Sequence, residues 1–554
     1  MTDLLTYLNV DLLGLKPFHL NVFKTGIIAL CLALGVWVLA SEGGLRHMSG
    51  LLARLDRLSL PRHRLLAWSL GALFASFLIQ LGVRQYFELQ TVWDMAAHAN
   101  VAWHMVHGPW FFLSLDNRSL LGEHFSPVML LVGLPYRVVE HPLTLLVIQS
   151  LSLGLGAVAV YYLTLLKCER KGIALLMIVL YMVNPYLHHC NAHDFHRVPL
   201  AIPTLLWLLV SIESNRLIPA IALSLLALSI EESIPPPLAG LGLFLAVFRP
   251  HWRAFGISLA ALSTGYFFLV TKVLLPMFSP EQGLVFWEKY ANLGANFNEA
   301  LLSILLNPAW AFWEALGRHN QFLYLLYFLI PVAFLPLLAW REACLLAVPL
   351  LIMFLSQYDG QYKLGFHYSA PALPFLFYST VYGMARASNY VDAWETDSVA
   401  RRKAVCVAAL FLVALDVYRC PGYDIGKTDP QFAAAAFEIA QLVPADAGVA
   451  TDLRFAPLLA NRHRICVVGI NPGTLCEFFP WKSHGGFKRT DPGWVPEYVL
   501  IGKELAATTE QKLEHVRVYA EWLMAALGYQ EIRSKNGIRL FQAPSVVQDQ
   551  RKGD

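Results

Sequence analysis

Charge is scarce in this chain. Only 15% of its 554 residues are Asp, Glu, Lys or Arg, against about 25% in soluble domains. The deficit runs to about residue 418, and mean hydropathy is +0.50. This excludes a disordered chain, a coiled coil and a nucleic-acid-binding protein, and it argues against an ordinary soluble enzyme. Neither sign of charge dominates: the net charge is +3 and the pI about 8.3, so no polyanionic partner is implied. None of the eight cysteines forms a CxxC pair, which removes the usual zinc and thioredoxin-type motifs. No internal repeat and no cleavable signal peptide is evident, and the tail from 419 shows no Gly-rich phosphate loop and no nucleophile elbow. What remains is a polytopic membrane protein with a more polar tail.

Apolar runs fall at roughly 26–40, 65–83, 143–166, 173–187, 198–213, 217–230, 236–248, 254–275, 321–339, 343–356, 369–385 and 403–418. A perpendicular helix needs about 20 residues to cross ~30 Å of hydrocarbon, so the shorter runs must extend into flanking polar residues. Lys and Arg set the orientation. Arg46, Arg54, Arg57, Arg62 and Arg64, then Lys167, Arg170 and Lys171, then Arg216, Arg249, Arg253, Arg341, Arg386, Arg401, Arg402 and Lys403 fall in alternate loops. Placing these in the cytoplasm puts 84–142, 188–197, 231–235, 276–320, 357–368 and the tail from 419 outside. The stretch 128–139, broken by Gly133 and Pro135, must then be a re-entrant or interfacial piece. The expectation is about 12 spanning helices in the cytoplasmic membrane, both termini facing the periplasm or cell exterior.

The expected divisions are 1–64, an extra N-terminal helix with a basic loop; 65–418, the helical bundle with its large outer loop 84–142; and 419–554. In the last, a helical pattern at 431–442, β-type runs at 448–451, 465–469 and 497–501, a helix at 509–527, and a hairpin of 529–533 with 538–542 predict a small α/β domain. Gly-Ile-Asn-Pro-Gly at 469–473 reads as a turn. If this domain faces an oxidising compartment, Cys420, Cys466 and Cys476 could form one disulfide.

Ionisable residues in a membrane chain are costly and therefore mark function. Here they collect in the outer loops. Asp94 and His98 lie four apart, on one face of a helix, with His104 and His107 beyond. His124 precedes a Pro-broken segment. His188, His189, His193, Asp194, His196 and Arg197 crowd one ten-residue loop. His193, Asp194 and His196 could hold a divalent metal ion, or the cationic members a phosphate. Glu231 and Glu232 are followed by three prolines. Neighbouring helical residues diverge by about 100°, so this pair converges on one ligand only if the chain unwinds there. Lys363, four residues before His367, and Tyr368 complete the set. Such convergence above an apolar bundle suits a site where a lipid-borne polar substrate meets a water-borne one: an aspartate acts as general base, and cationic groups stabilise a leaving phosphate.

The order of these motifs resembles the prokaryotic membrane family known as domain of unknown function 2079, which is similar to the GT-C glycosyltransferases such as the protein O-mannosyltransferases and the aminoarabinose transferases of lipid A. The family's run is (F/Y)DLGI(F/Y)DQ, HFSP, DFHPE, KED and HY. Here Trp93-Asp94-Met95-Ala96 matches the first, with Ala99-Asn100 in place of its Asp-Gln. His124-Phe125-Ser126-Pro127 matches the second. Asp194-Phe195-His196 matches the third, with Arg197-Val198 for Pro-Glu. Glu231-Glu232 stands at the fourth, with Ile230 for Lys, and His367-Tyr368 matches the last. The resemblance implies a GT-C-like fold and an inverting hexosyl- or pentosyltransferase. Asp94 would be the catalytic base and a polyprenyl-phosphate-linked sugar the donor; the acceptor, a protein, lipid or glycan, is left open. His98, His124, Asp194, His196, Arg197, Glu231, Glu232, Lys363, His367 and Tyr368 would bind substrate. The rival expectations are a secondary transporter of a small polar solute or metal, and a non-catalytic polyprenyl-lipid-binding protein.

Overall fold

The computed structural model describes residues 20–168, 170–279, 287–391, 399–421, 428–468, 476–477, 494–502, 521–522 and 524–544. Every one of the twelve apolar runs is helical, whole or in pieces, as hydrocarbon demands of a segment that must satisfy its own backbone. Four helices are long and apolar enough to cross a membrane: Leu60–Phe87, Leu143–Cys168, Pro250–Phe278 and Leu335–Phe354. Counting each of two bent pairs as one span makes six, the pairs being Lys24–Ala40 with Glu42–Arg57 and Lys171–Met182 with Pro185–Ala192. The count of 12 is therefore larger than length and composition support among the described residues. The other runs form shorter helices or broken ones. One break has a clear cause: Ala333 and Phe334 take left-handed backbone conformations (φ 51° and 55°) and divide the run at 321–339. The helix Met129–Val138 has ten residues, about 15 Å of rise, too short to cross.

The first outer loop is built around the helix Trp93–His107, followed by a short hairpin of β1 (Phe112–Leu113) and β2 (Arg118–Ser119). In the tail, the helix Pro430–Ala440 precedes a six-stranded sheet of β3 (Val449–Thr451), β4 (Ile465–Val468), β5 (Cys476–Glu477), β6 (Tyr498–Gly502), β7 (Gln530–Lys535) and β8 (Ile538–Gln542). The spatial order is β5-β4-β3-β6-β8-β7, with β3 parallel to β4 and β6 and the outer pairs antiparallel. Alternate residues face opposite sides of the sheet. Val449, Ile465, Leu500 and Leu540 join the main core, while Ala450, Cys466, Val499 and Phe541 form a second, smaller one. The disulfide joins Cys466 to Cys476, and Cys420 is free. The 469–473 turn and most of the 509–527 helix lie outside the described residues.

The tail is seated on the Trp93–His107 helix. The Asn100 amide donates to the carbonyls of Ala460 (2.7 Å) and Arg462 (2.9 Å), and its oxygen accepts from the Ser114 N–H (2.8 Å). Tyr136 donates to Asn461 (2.6 Å). The N-terminal helix Leu20–Ala40 runs antiparallel to Val399–Arg419: Lys24 donates to the Cys420 carbonyl (2.6 Å) and Lys403 to that of Leu39 (2.8 Å).

Candidate functional site

Four segments distant in sequence meet beside the first outer loop. Asp94 lies in the first turn of Trp93–His107. His193, Asp194, His196 and Arg197 follow the helix Pro185–Ala192. Glu231 and Glu232 occupy a non-helical stretch between Leu217–Leu228 and Pro235–Phe248. His367 and Tyr368 precede Leu373–Val391. The unwinding at 229–234 separates the two carboxylates: Glu231 accepts from Arg197 (3.1 Å), and Glu232 accepts from the His124 ring (2.7 Å) and the Phe125 N–H (2.9 Å). Arg197 and Glu231 are buried, so theirs is a desolvated pair, and His196, His98 and His367 are buried beside it.

Asp94 is the exception. Its side chain is 39% exposed, while His196, 3.5 Å from it, is only 8% exposed. Burial of the surroundings alone would raise the Asp94 pKa. The His196 ring, through its hydrogen bond and through its charge when protonated, outweighs that effect and holds the carboxyl below its usual range. Burial lowers His193 to about 4, and burial with the Arg197 charge lowers His98, so both rings are neutral near pH 7. The His196 Nδ1 faces the His193 carbonyl oxygen at 2.8 Å. It must carry a hydrogen to do so. Nε2 then offers Asp94 a lone pair unless a second proton or a cation lies between them.

His367 stacks on His196 with ring centres 3.6 Å apart, and His193 lies 5.2 Å from His196. His193, His196 and His367 each present a ring nitrogen within 4.8 Å of the others, a set that could hold a divalent metal ion; His124, Glu231 and Glu232 do the same. Zinc-type ions favour the all-imidazole set. The second set is already paired internally.

The expected residues do not all converge as expected. The His98 ring contacts the Asp94 backbone carbonyl (2.6 Å), not its carboxylate. The Asp194 carboxylate accepts from the N–H groups of Val92 (3.0 Å) and Met95 (3.3 Å) instead of joining the imidazole group. Lys363 is exposed and pairs with Asp359 at 3.6 Å. The cation that does reach the site is Lys289, which sequence reasoning missed. Its Nζ stands 5.2 Å from the Tyr358 ring centre and 5.4 Å from that of Tyr368. The Gln357 N–H donates to the Lys289 carbonyl (2.7 Å), tying the two segments together. Burial and then the Asp94 charge push the Tyr358 phenol up. A single Lys in the long 276–320 loop carries no pattern of its own.

The family model described as "Predicted membrane protein (DUF2079)" matches residues 85–540. The chain belongs to this family. The matched span holds every site residue named above, so the site is the family's own region and not an appendage. No curated protein matches the chain. Among solved structures, ArnT from Cupriavidus metallidurans bound to undecaprenyl phosphate is similar at 11% identity and a TM-score of 0.48, over 85% of this chain and 97% of that one. The apo form gives 12% identity and 0.49 over the same shares.

Proposed function

We propose that this DUF2079 member is a membrane glycosyltransferase that takes a sugar from a polyprenyl-phosphate donor and passes it to an acceptor on the extracytoplasmic side. One observation carries the reading: a single ionised carboxylate, Asp94, opens outward from a cluster whose other charged and imidazole groups are mostly buried. The acceptor O–H or N–H gives its proton to Asp94 as the heteroatom attacks the anomeric carbon. The bond from that carbon to the phosphate oxygen breaks, and its electron pair leaves on the phosphate. Attack opposite the leaving group inverts the anomeric centre. Lys289, packed against the rings of Tyr358 and Tyr368, is the cation for the leaving phosphate. Arg197 is held by Glu231 and lines the same buried wall.

The clustering of Lys and Arg in alternate loops, as the positive-inside rule asks of cytoplasmic ones, supports an outward-facing site. So does the Cys466–Cys476 disulfide, since such bonds persist in oxidising compartments. Asp94→Asn keeps the side chain's shape and removes the base. Transfer should fall by about 10³-fold with an unchanged unfolding midpoint. Undiminished transfer by this variant would refute the assignment.

A further inference from the structure

We infer that Asp194 and Gln149 are positioning residues that fix the separation between Asp94 and His196, Asp194 by capping the Asp94 helix from a distant segment. This rests on the reading of Asp94 as the reacting carboxylate.

The helix Trp93–His107 begins without a cap of its own. The residue at the cap position is Val92, which has no side-chain acceptor. The opening amides of a helix need acceptors, and a buried helix start without them is costly. Asp194, about a hundred residues away in sequence, supplies one oxygen to the N–H groups of both Val92 and Met95 (3.0 and 3.3 Å). A carboxyl oxygen suits this place because it accepts both hydrogen bonds, as a helix cap does.

To reach that place Asp194 takes a left-handed conformation, φ +46°, which a non-glycine residue adopts at a cost. Gln149 holds it there. This fully buried amide of Leu143–Cys168 donates to the carbonyls of Asp194 (3.0 Å) and Cys190 (3.2 Å), and its oxygen accepts the His196 N–H (2.9 Å). One amide therefore fastens the turn that carries His196, and one carboxylate fastens that turn to the helix that carries Asp94. Asp94 lies between the two capped residues in sequence, and His196 lies two residues after the cap. The 3.5 Å approach of Asp94 to His196 follows from these bonds.

The test uses full-length protein in nanodiscs with Asp194→Ala, Asp194→Asn and Gln149→Leu. Hydrogen–deuterium exchange of the segment 92–99 reads the cap without any assay of activity. Steady-state transfer from a polyprenyl-phosphate sugar reads its consequence. Asp194→Ala and Gln149→Leu should speed exchange in that first turn and lower kcat by about 100-fold, the scale of a misplacement near 1 Å, with KM for the donor little changed. Asp194→Asn retains an acceptor oxygen, so both exchange and kcat should return most of the way to the parent values. The inference is overturned if Asp194→Ala leaves exchange at the parent rate. It is also overturned if Asp194→Asn is as slow as Asp194→Ala while its exchange is unaltered, since Asp194 would then act by charge and not by capping. Absence of transfer even in the parent protein would contradict the glycosyltransferase reading alone; the exchange measurement would still decide the cap.

Discussion

Asn100 stands at the glutamine of the family's Asp-Gln pair, and its contacts give the side-chain amide a physical role. Both of its amide hydrogens go to tail carbonyls, which a carboxylate cannot serve. Asn100→Asp should cost about 3 kcal/mol, the penalty of leaving a buried charge against acceptors, and lower the unfolding midpoint of the purified protein. An unchanged midpoint would mean the tail is not held at this point. The His124–Glu232 pair predicts a pH dependence. Burial lowers the His124 pKa, but Glu231 and Glu232 outweigh it, and the net value is raised above the ordinary 6.5. Its contribution to stability is thus complete below pH 6.5 and fades as pH rises through the raised value. The parent should exceed His124→Gln by about 2 kcal/mol at pH 6, and unfolding titrations at higher pH should show the gap closing. Much of this cluster could be read from sequence, because Asp94, His124, His196, Glu231 and Glu232 are conspicuous in so apolar a chain. Gln149 could not: a lone amide in an apolar helix names no partner. Nor could the role of Asp194, which depends on a left-handed turn and an uncapped helix far away in the chain.

At the scale of elements, the twelve apolar runs and the tail hairpin follow directly from periodicity and turn residues. The lengths of the helices do not, because breaks such as Ala333–Phe334 and the unwound 229–234 stretch arise from packing and from the site's own pairs. Close approach of two long helices is the device that sets Gln149 in place. A Cβ on Gly154 would lie 2.7 Å from the Gly71 carbonyl oxygen and 2.8 Å from the Ala75 Cβ. Leu60–Phe87 and Leu143–Cys168 therefore touch backbone to backbone, as small residues allow in membrane bundles. Gly154→Leu should destabilise the fold by about 3 kcal/mol or more, and the loss is measurable as a lower midpoint in detergent-induced unfolding. Wild-type stability in this variant would show that the helices part easily.

For the whole molecule, the scarcity of charge resolves into two separated polar zones. One is the site described above. The other surrounds Glu213, which accepts from Tyr378 and Tyr382 and pairs with Lys167 and Arg249, among the basic loops. Lys24 meets Cys420, and His189 meets the Arg419 carbonyl, so the described N-terminal helix begins at the same end of the bundle as the site and the tail. This two-zone arrangement suits transfer from a lipid whose chain lies along the helices and whose head group reaches Asp94 and Lys289. Mass spectrometry of the lipids that co-purify with the parent and with Asp94→Asn tests it most directly. The account predicts polyprenyl phosphate on the parent and the undischarged polyprenyl-phosphate sugar on the variant. Ordinary phospholipids alone on both proteins would contradict it.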